Sequence, residues 1–421
     1  MKRRMRSWPA LVALSAILAP GPGLALAQTA ASSPPVTTRV SVKSTGLLSC
    51  APDAAWLFPD RSAASHLWRA RLESVWRPND RWSVDAAYEQ RVRLFSSTVS
   101  STGAGVLPAE AAPPYRVTPL DWQLASGATG AWHHEIDRAA VRLQLAAAEI
   151  TAGRQAVGWG RGVLFSAVDV FAPFSPLEAD REWRRGIDAL RADVKLGDRA
   201  SVEVIGAFGA RTDTSVYGAR VRGYTDRFDV EVMGGRRARD RFAGVTTSLA
   251  VAGAELHAEA AVFDTPAAAT STSFAGRRAI AKMVLGGSYR LPIAAGVLVD
   301  AEYHYSGFGA RSAEDTLSLL ADPEFAARYV RGDTQMLGRH ASAVVGSYEW
   351  SPLVSGGVSW LHNPVDGSGL VMPSLTLTPG DQWSVLMSAY VPYGHAPGNG
   401  TIRSEYGLTP TSLLVQLRWY R

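Results

Sequence analysis

Apolar and charged side chains alternate one for one along much of this chain. In 201–208, Val202, Val204, Gly206 and Phe208 fall on one parity and Ser201, Glu203 and Ile205 on the other. Residues 227–232 set Phe228, Val230 and Val232 against Arg227, Asp229 and Glu231. Residues 255–262 set Leu256, Ala258, Ala260 and Val262 against Glu255, His257 and Glu259, and 138–145 repeats the rhythm. Successive side chains of a strand point to opposite faces, so each segment reads as a strand with one apolar and one ionic face. A soluble sandwich also alternates. Length separates the two, because segments of about 9–14 residues approach what a tilted strand needs to cross a bilayer.

Strands are predicted near 40–48, 66–77, 81–95, 137–147, 149–158, 187–196, 200–210, 215–223, 227–235, 241–251, 254–263, 278–290, 295–306, 336–350, 353–361, 370–378, 382–392 and 411–421. The connections alternate in length. Tight turns fall at Pro78-Asn79-Asp80, Gly197-Asp198-Arg199, Tyr224-Thr225-Asp226, Ser351-Pro352 and Thr378-Pro379-Gly380-Asp381, all rich in turn formers. Long connections cover 49–65, 96–136, 159–186, 264–277, 307–335 and 393–410. Short turns on one side and long loops on the other predict an all-β fold: a closed antiparallel transmembrane β-barrel of about 18 strands, or 16 if the weak first segment is discounted. Both termini then lie on the periplasmic side. Closure has a physical cause, since an open sheet edge in hydrocarbon leaves backbone N–H and C=O groups unpaired. Trp76, Trp82, Trp350, Trp360, Trp383 and Trp419 sit near strand ends, as interfacial girdles require.

The start of the chain adds a route. Lys2, Arg3, Arg4 and Arg6 precede an apolar run over 10–19, and Ala25-Leu26-Ala27 follows soon after, the pattern of a cleaved secretory signal over 1–27. A short periplasmic segment, 28–39, is expected before a barrel over 40–421. The signal carries four basic residues and no acid, so the net charge falls from +5 for the full chain to +1 without it. That balance gives no argument for nucleic acid. Lone Cys50 excludes a disulfide framework. Leu47-Leu48-Ser49-Cys50 lies too far from the signal's apolar core to serve as a lipid-attachment box.

Candidate chemistry crowds one loop. The 159–186 connection, third on its side, holds Arg161, Asp169, Glu178, Asp180, Arg181, Glu182, Arg184 and Arg185 together with Trp159, Phe165, Phe171, Phe174 and Trp183, and Arg154 precedes it. Such a loop is expected to fold inward, aromatics on the wall and charges across the pore, as a constriction. The plainer alternative is a solvated loop with internal salt bridges. By parity, Arg69, Arg71, Arg91, Arg93, Arg142, Arg220 and Arg222 face the lumen and outnumber inward acids in that half, which points to anionic solutes.

No Gly-x-Ser-x-Gly or His-Glu-x-x-His motif is present, so no enzyme is expected. His133 and His134, adjacent on a strand, point apart and make a poor chelate, so neither metal nor cofactor is expected. Gly158-x-Gly160-x-Gly162 lacks the second half of a phosphate loop, and its glycines suit a bend or close approach at the wall.

The run Gly153-Arg154-Gln155, Trp159-Gly160-x-Gly162, Asp169, Pro173, Arg185-Gly186-x-Asp188-Ala189 resembles a motif of poorly characterised porin-like outer-membrane proteins of Gram-negative bacteria. Phe58-Pro59-Asp60 with Leu67-Trp68-Arg69, Pro373-Ser374-Leu375, Tyr390-x-Pro392-Tyr393-Gly394 and Ser404-Glu405-Tyr406-Gly407 are similar to it as well. The resemblance implies the barrel and its location, but no settled activity. One departure is that such proteins usually end in an aromatic residue, whereas Arg421 here follows Tyr420. The expectation is an outer-membrane channel for small hydrophilic solutes, leaning towards anions. Its partners would be outer-membrane lipid, the barrel-assembly machinery and the solutes. The alternative is a structural or export barrel that sheathes or passes a partner protein or polymer.

Overall fold

A computed structural model describes residues 35–96, 105–108, 112–266, 276–293 and 296–421. The expected signal, and the segment after it as far as residue 34, lie outside the described residues. Nineteen strands occur among the described residues. They are β1 (Val36–Cys50), β2 (Ser62–Asn79), β3 (Trp82–Phe95), β4 (Asp121–Gly127), β5 (Gly130–Gln144), β6 (Ala148–Gln155), β7 (Ile187–Lys195), β8 (Ala200–Ala207), β9 (Val216–Tyr224) and β10 (Phe228–Arg237). Then follow β11 (Asp240–Val251), β12 (Ala254–Asp264), β13 (Ala279–Leu291), β14 (Val297–Ser306), β15 (His340–Ser351), β16 (Val354–His362), β17 (Gly369–Gly380), β18 (Trp383–Tyr393) and β19 (Thr411–Tyr420).

Eighteen of these strands close an antiparallel ring, in which β1 pairs with both β2 and β19. The nineteenth, β4, is an added finger. It pairs with the outer part of β5, from Asp121 opposite Glu135 to Gly127 opposite Gly130. On the same side, β6 takes the inner part of β5, from Ala139 to Gln144, while β3 runs beside β5 from Trp82 to Leu94.

The sequence pattern misses β4 and starts β5 at 137 instead of Gly130. Here alternation is between aromatic and small or neutral side chains (Trp122, Leu124, Trp132), so an apolar-against-charged rhythm is weak. β1 is longer than its 40–48 expectation because backbone pairing with β2 continues outward from the lumen-facing residues at both ends, to Val36 opposite Trp76 and Cys50 opposite Ser62.

One end of the ring carries tight connections, such as those between β9 and β10 and between β11 and β12. Both chain ends of the barrel lie there too, with Val40 and Arg421 exchanging backbone hydrogen bonds. We call this the turn end. The other, loop end holds 156–186 (L3) and 307–339 (L7), but its lengths are mixed, because β10 and β11 meet through Ala238 and Arg239 alone.

Burial is inverted relative to a water-soluble domain. Val204, Val221, Val232, Val262 and Leu413 point outward and are exposed, while Lys43, Glu203, Glu259 and Glu302 point inward and are buried. Exposed aliphatic rows around the ring and buried ions within it match lipid outside and polar surroundings inside. Trp76, Trp82, Trp350, Trp360 and Trp383 are exposed on the outer wall. Trp419 lies opposite Trp383, their rings 6.3 Å apart. No described helix is long and apolar enough to cross a membrane.

Candidate functional site

L3 leaves β6 and crosses the interior, held by side chains from around the wall. The Trp159 indole N–H donates to Glu203 on β8 at 2.8 Å, and its ring meets Phe171 edge-on at 5.0 Å. The Arg161 guanidinium reaches Asp229 (3.3 Å) and Glu231 (3.2 Å) on β10. Two wall carboxylates then collect the loop backbone. Glu259 accepts from the amides of Arg161, Gly162 (2.9 Å) and Ala167 (2.7 Å) and from the Ser166 hydroxyl (3.0 Å). Glu302 accepts from the amides of Val163, Leu164 (2.9 Å) and Phe165 (3.0 Å). A loop inside a barrel cannot leave its N–H groups unpaired, and inward acids on β12 and β14 meet that requirement.

The glycines of the motif allow this approach. Gly160 has φ +107°, and a Cβ at Gly162 would stand 1.9 Å from the Phe165 carbonyl oxygen.

The returning limb of L3 is fastened to the opposite wall. Asp180 bonds Lys43 on β1 at 2.8 Å and approaches Arg69 on β2 at 3.4 Å. Glu182 bonds Lys43 at 2.7 Å and accepts from the Tyr420 hydroxyl at 2.6 Å. The Trp183 ring lies under Lys43 (3.7 Å), Arg69 (4.6 Å) and Arg71 (5.2 Å). Arg185 pairs with Glu135 on β5 at 3.0 Å. Within the loop, Arg184 pairs with Asp169 at 2.5 Å, and Arg181 donates to the carbonyls of Val163 (3.1 Å) and Pro176 (2.6 Å).

L7, with helices α1 (Thr316–Ala321) and α2 (Pro323–Val330), braces L3 from the loop end. Gln335 accepts from the Ser166 amide at 2.7 Å and donates to the Phe174 carbonyl at 2.9 Å. Arg328 of α2 clasps Asp240 (2.7 Å) and Asp333 (3.0 Å), and Arg237 joins Asp333 to Tyr115. Arg237, Arg331 and Arg328 outweigh burial and hold Asp333 far below the usual carboxylate range. Nothing in the alternation singles out this cluster, since L7 has no period of two.

Two loop acids behave differently. Burial alone would raise Asp180, but Lys43 and Arg69 outweigh it and hold the carboxyl at about 2. Burial raises Glu178 to about 7, aided by the neighbouring charge of Asp180 and only partly opposed by Arg69 and Arg181.

The expected lumenal arginines do face inward, but each has a partner. Arg69 pairs with Glu89 at 2.9 Å, Arg71 with Asp137 at 2.7 Å, and Arg91 with Asp121 and Glu135, both at 3.5 Å. Arg93 donates to the Pro108 carbonyl at 2.7 Å. Arg142 approaches Asp85 (3.5 Å) and Glu149 (3.6 Å), Arg220 bridges Glu203 and Glu231 at 3.1 Å each, and Arg222 pairs with Asp193. Arg154 is 2% exposed, sealed by Asp188 (2.7 Å) and by backbone carbonyls including that of Pro119, so it joins strands and lies off any open surface.

His133 approaches Asp121 while His134 turns to Tyr88 on the other face, as adjacent strand residues must. The arc from β15 to β18 carries no charged alternation that would mark it in the sequence. Its inward positions Ser347, Gly357, Ser359, Ser374 and Thr376 are small, mostly hydroxylated and half-buried, in contrast to the buried ions of the facing wall.

No protein-family description and no curated protein matches this chain. Among solved structures it is similar to Acinetobacter baumannii OccAB1, with TM-score 0.53 and 10% identity over 92% of this chain and 96% of that one. Pseudomonas aeruginosa OccK7 (OpdD) gives 0.53 and 9% over 92% and 98%. Pseudomonas aeruginosa OccK5 (OpdH) gives 0.51 and 9% over 91% and 97%. At such identities the likeness speaks for architecture, and with the closed ring of 18 strands it shows that this chain has the fold of the outer-membrane porins.

Proposed function

We propose that the protein is a porin-like channel of a Gram-negative outer membrane, passing small hydrophilic solutes through a lumen narrowed by L3. In this reading the turn end faces the periplasm and the loop end the exterior. The chain arrives there by its cleaved signal and the barrel-assembly machinery, and it performs no catalysis. The observation that carries the reading is the crossing of L3, pinned by Glu259 and Glu302 on one side and by Lys43, Arg69 and Glu135 on the other.

Arg161, Asp169, Glu178, Asp180, Arg181, Glu182, Arg184 and Arg185 then shape the constriction, and the hydroxylated arc of β15 to β18 offers the wettable side of the path. The expected anion preference is reduced, because paired guanidinium and carboxylate groups largely cancel beyond contact range. Purified protein in a planar bilayer is expected to give discrete single-channel steps with only a weak anion bias in the reversal potential. A preparation that inserts but never conducts would remove the proposal. Silence together with a co-purifying polymer or protein would instead favour a sheath or export barrel.

A further inference from the structure

The outer wall carries an unbalanced cluster of arginines at the loop end, across β9 to β13. Cross-strand register sets Tyr217, Arg236, Arg241 and Asp264 in one outward row, immediately beyond a row of small and aliphatic residues that includes Ala243 and Val262. Arg236 and Arg241 are directly opposite each other and exposed. Like charges placed so are unfavourable unless an anion lies between them.

The nearby acids are already engaged. Asp264 is held by Arg278, with Nη2 to Oδ2 at 2.8 Å, and Asp213 is shared by Arg211 (3.1 Å) and Arg239 (3.6 Å). Five guanidinium groups therefore meet two carboxylates. By sequence, Arg277 and Arg278 are the charged residues of the 265–278 connection, and it holds no acid. Arg236, Arg239, Arg241, Asp264, Pro266 and Arg278 line a half-open cleft of about 300 Å³.

We propose that this cleft binds the phosphate group of a phosphorylated glycolipid in the outer leaflet. The guanidinium fork matches phosphate oxygens in pairs. The row stands where the apolar band ends, at the level of lipid headgroups. A second copy of this face is a poor occupant, because its own excess positive charge repels it. The proposal rests on the loop end facing the cell exterior, as in the function proposed above.

The test is native mass spectrometry of the detergent-purified full chain incubated with bis-phosphorylated lipid A, with the same glycolipid stripped of phosphate, and with inorganic phosphate as competitor. The R236A/R241A variant is compared in parallel. The expected result is retention of lipid A by the wild type, about tenfold weaker in the variant and with the stripped lipid, and lowered by added salt. Equal retention by variant and wild type, equal retention of the stripped lipid, or no retention by the wild type overturns the proposal. So does full displacement by inorganic phosphate at its own concentration, which would mark a general anion site. Planar-bilayer conductance of both proteins, unchanged by substitutions on the outer wall, separates failure of this proposal from failure of the channel reading.

Discussion

At the scale of residues, burial and charge give L3 a titrating group and give the wall its fasteners. Glu178 ionises at about 7 because burial disfavours its charged form. Its folded-state value lies above the ordinary carboxylate range, so the stabilising contribution is full at pH below about 4.3 and is lost as pH rises through 7. Ionisation also places a negative charge in the lumen. Cation preference is therefore expected to increase between pH 6 and 8, and Glu178→Gln to flatten that change, read as reversal potential under a salt gradient. A reversal potential that moves identically in both proteins would assign the titration elsewhere. Arg154→Ala is expected to lower stability towards the low end of about 3–5 kcal/mol, because it strands Asp188 and several carbonyls beside a largely dry seam. Urea unfolding in detergent micelles reads this directly. Parity in the sequence identified Arg69, Arg71 and Arg220 as inward. It could not identify their partners, because Glu89 and Glu203 meet them from the adjacent strand and Asp137 from the next strand but one, a pairing set by register.

At the scale of elements, L3 is a chain segment whose polar backbone is satisfied by the wall. Removing Glu302 as Glu302→Ala leaves the amides of Val163, Leu164 and Phe165 without their acceptor. Each orphaned buried group costs about 1–3 kcal/mol, enough together to free the near limb of the loop. Larger, noisier single-channel currents are expected, with Glu302→Gln intermediate because its amide oxygen still accepts. Currents indistinguishable from wild type would mean that L3 does not restrict flow. The mixed composition of L3 made its inward fold legible, because aromatics and ions in one loop suit a polar interior better than bulk water. The acceptors were not legible as such, since Glu259 and Glu302 look like any other inward acid of their strands. β4 and the Arg328–Asp240–Asp333 brace escaped for a related reason. One has few charges to mark its faces, and the other depends on loop geometry that no period encodes.

At the scale of the whole molecule, the rhythm of two fixes an inside and an outside, and the ring of 18 strands follows from the need to leave no edge. Circular dichroism of the refolded protein is expected to report mainly strand, with cooperative loss only on strong heating. The ring also has a join, where β1 and β19 pair from Ser41 opposite Tyr420 to Cys50 opposite Thr411. L3 is stitched across this join from within, with Asp180 and Glu182 on Lys43 of β1 and Glu182 again on Tyr420 of β19. Prising the first and last strands apart therefore breaks buried ion contacts as well as the backbone ladder. Among the described residues the strand ring is unbroken, so the path it leaves open to whatever occupies the interior runs along the barrel axis.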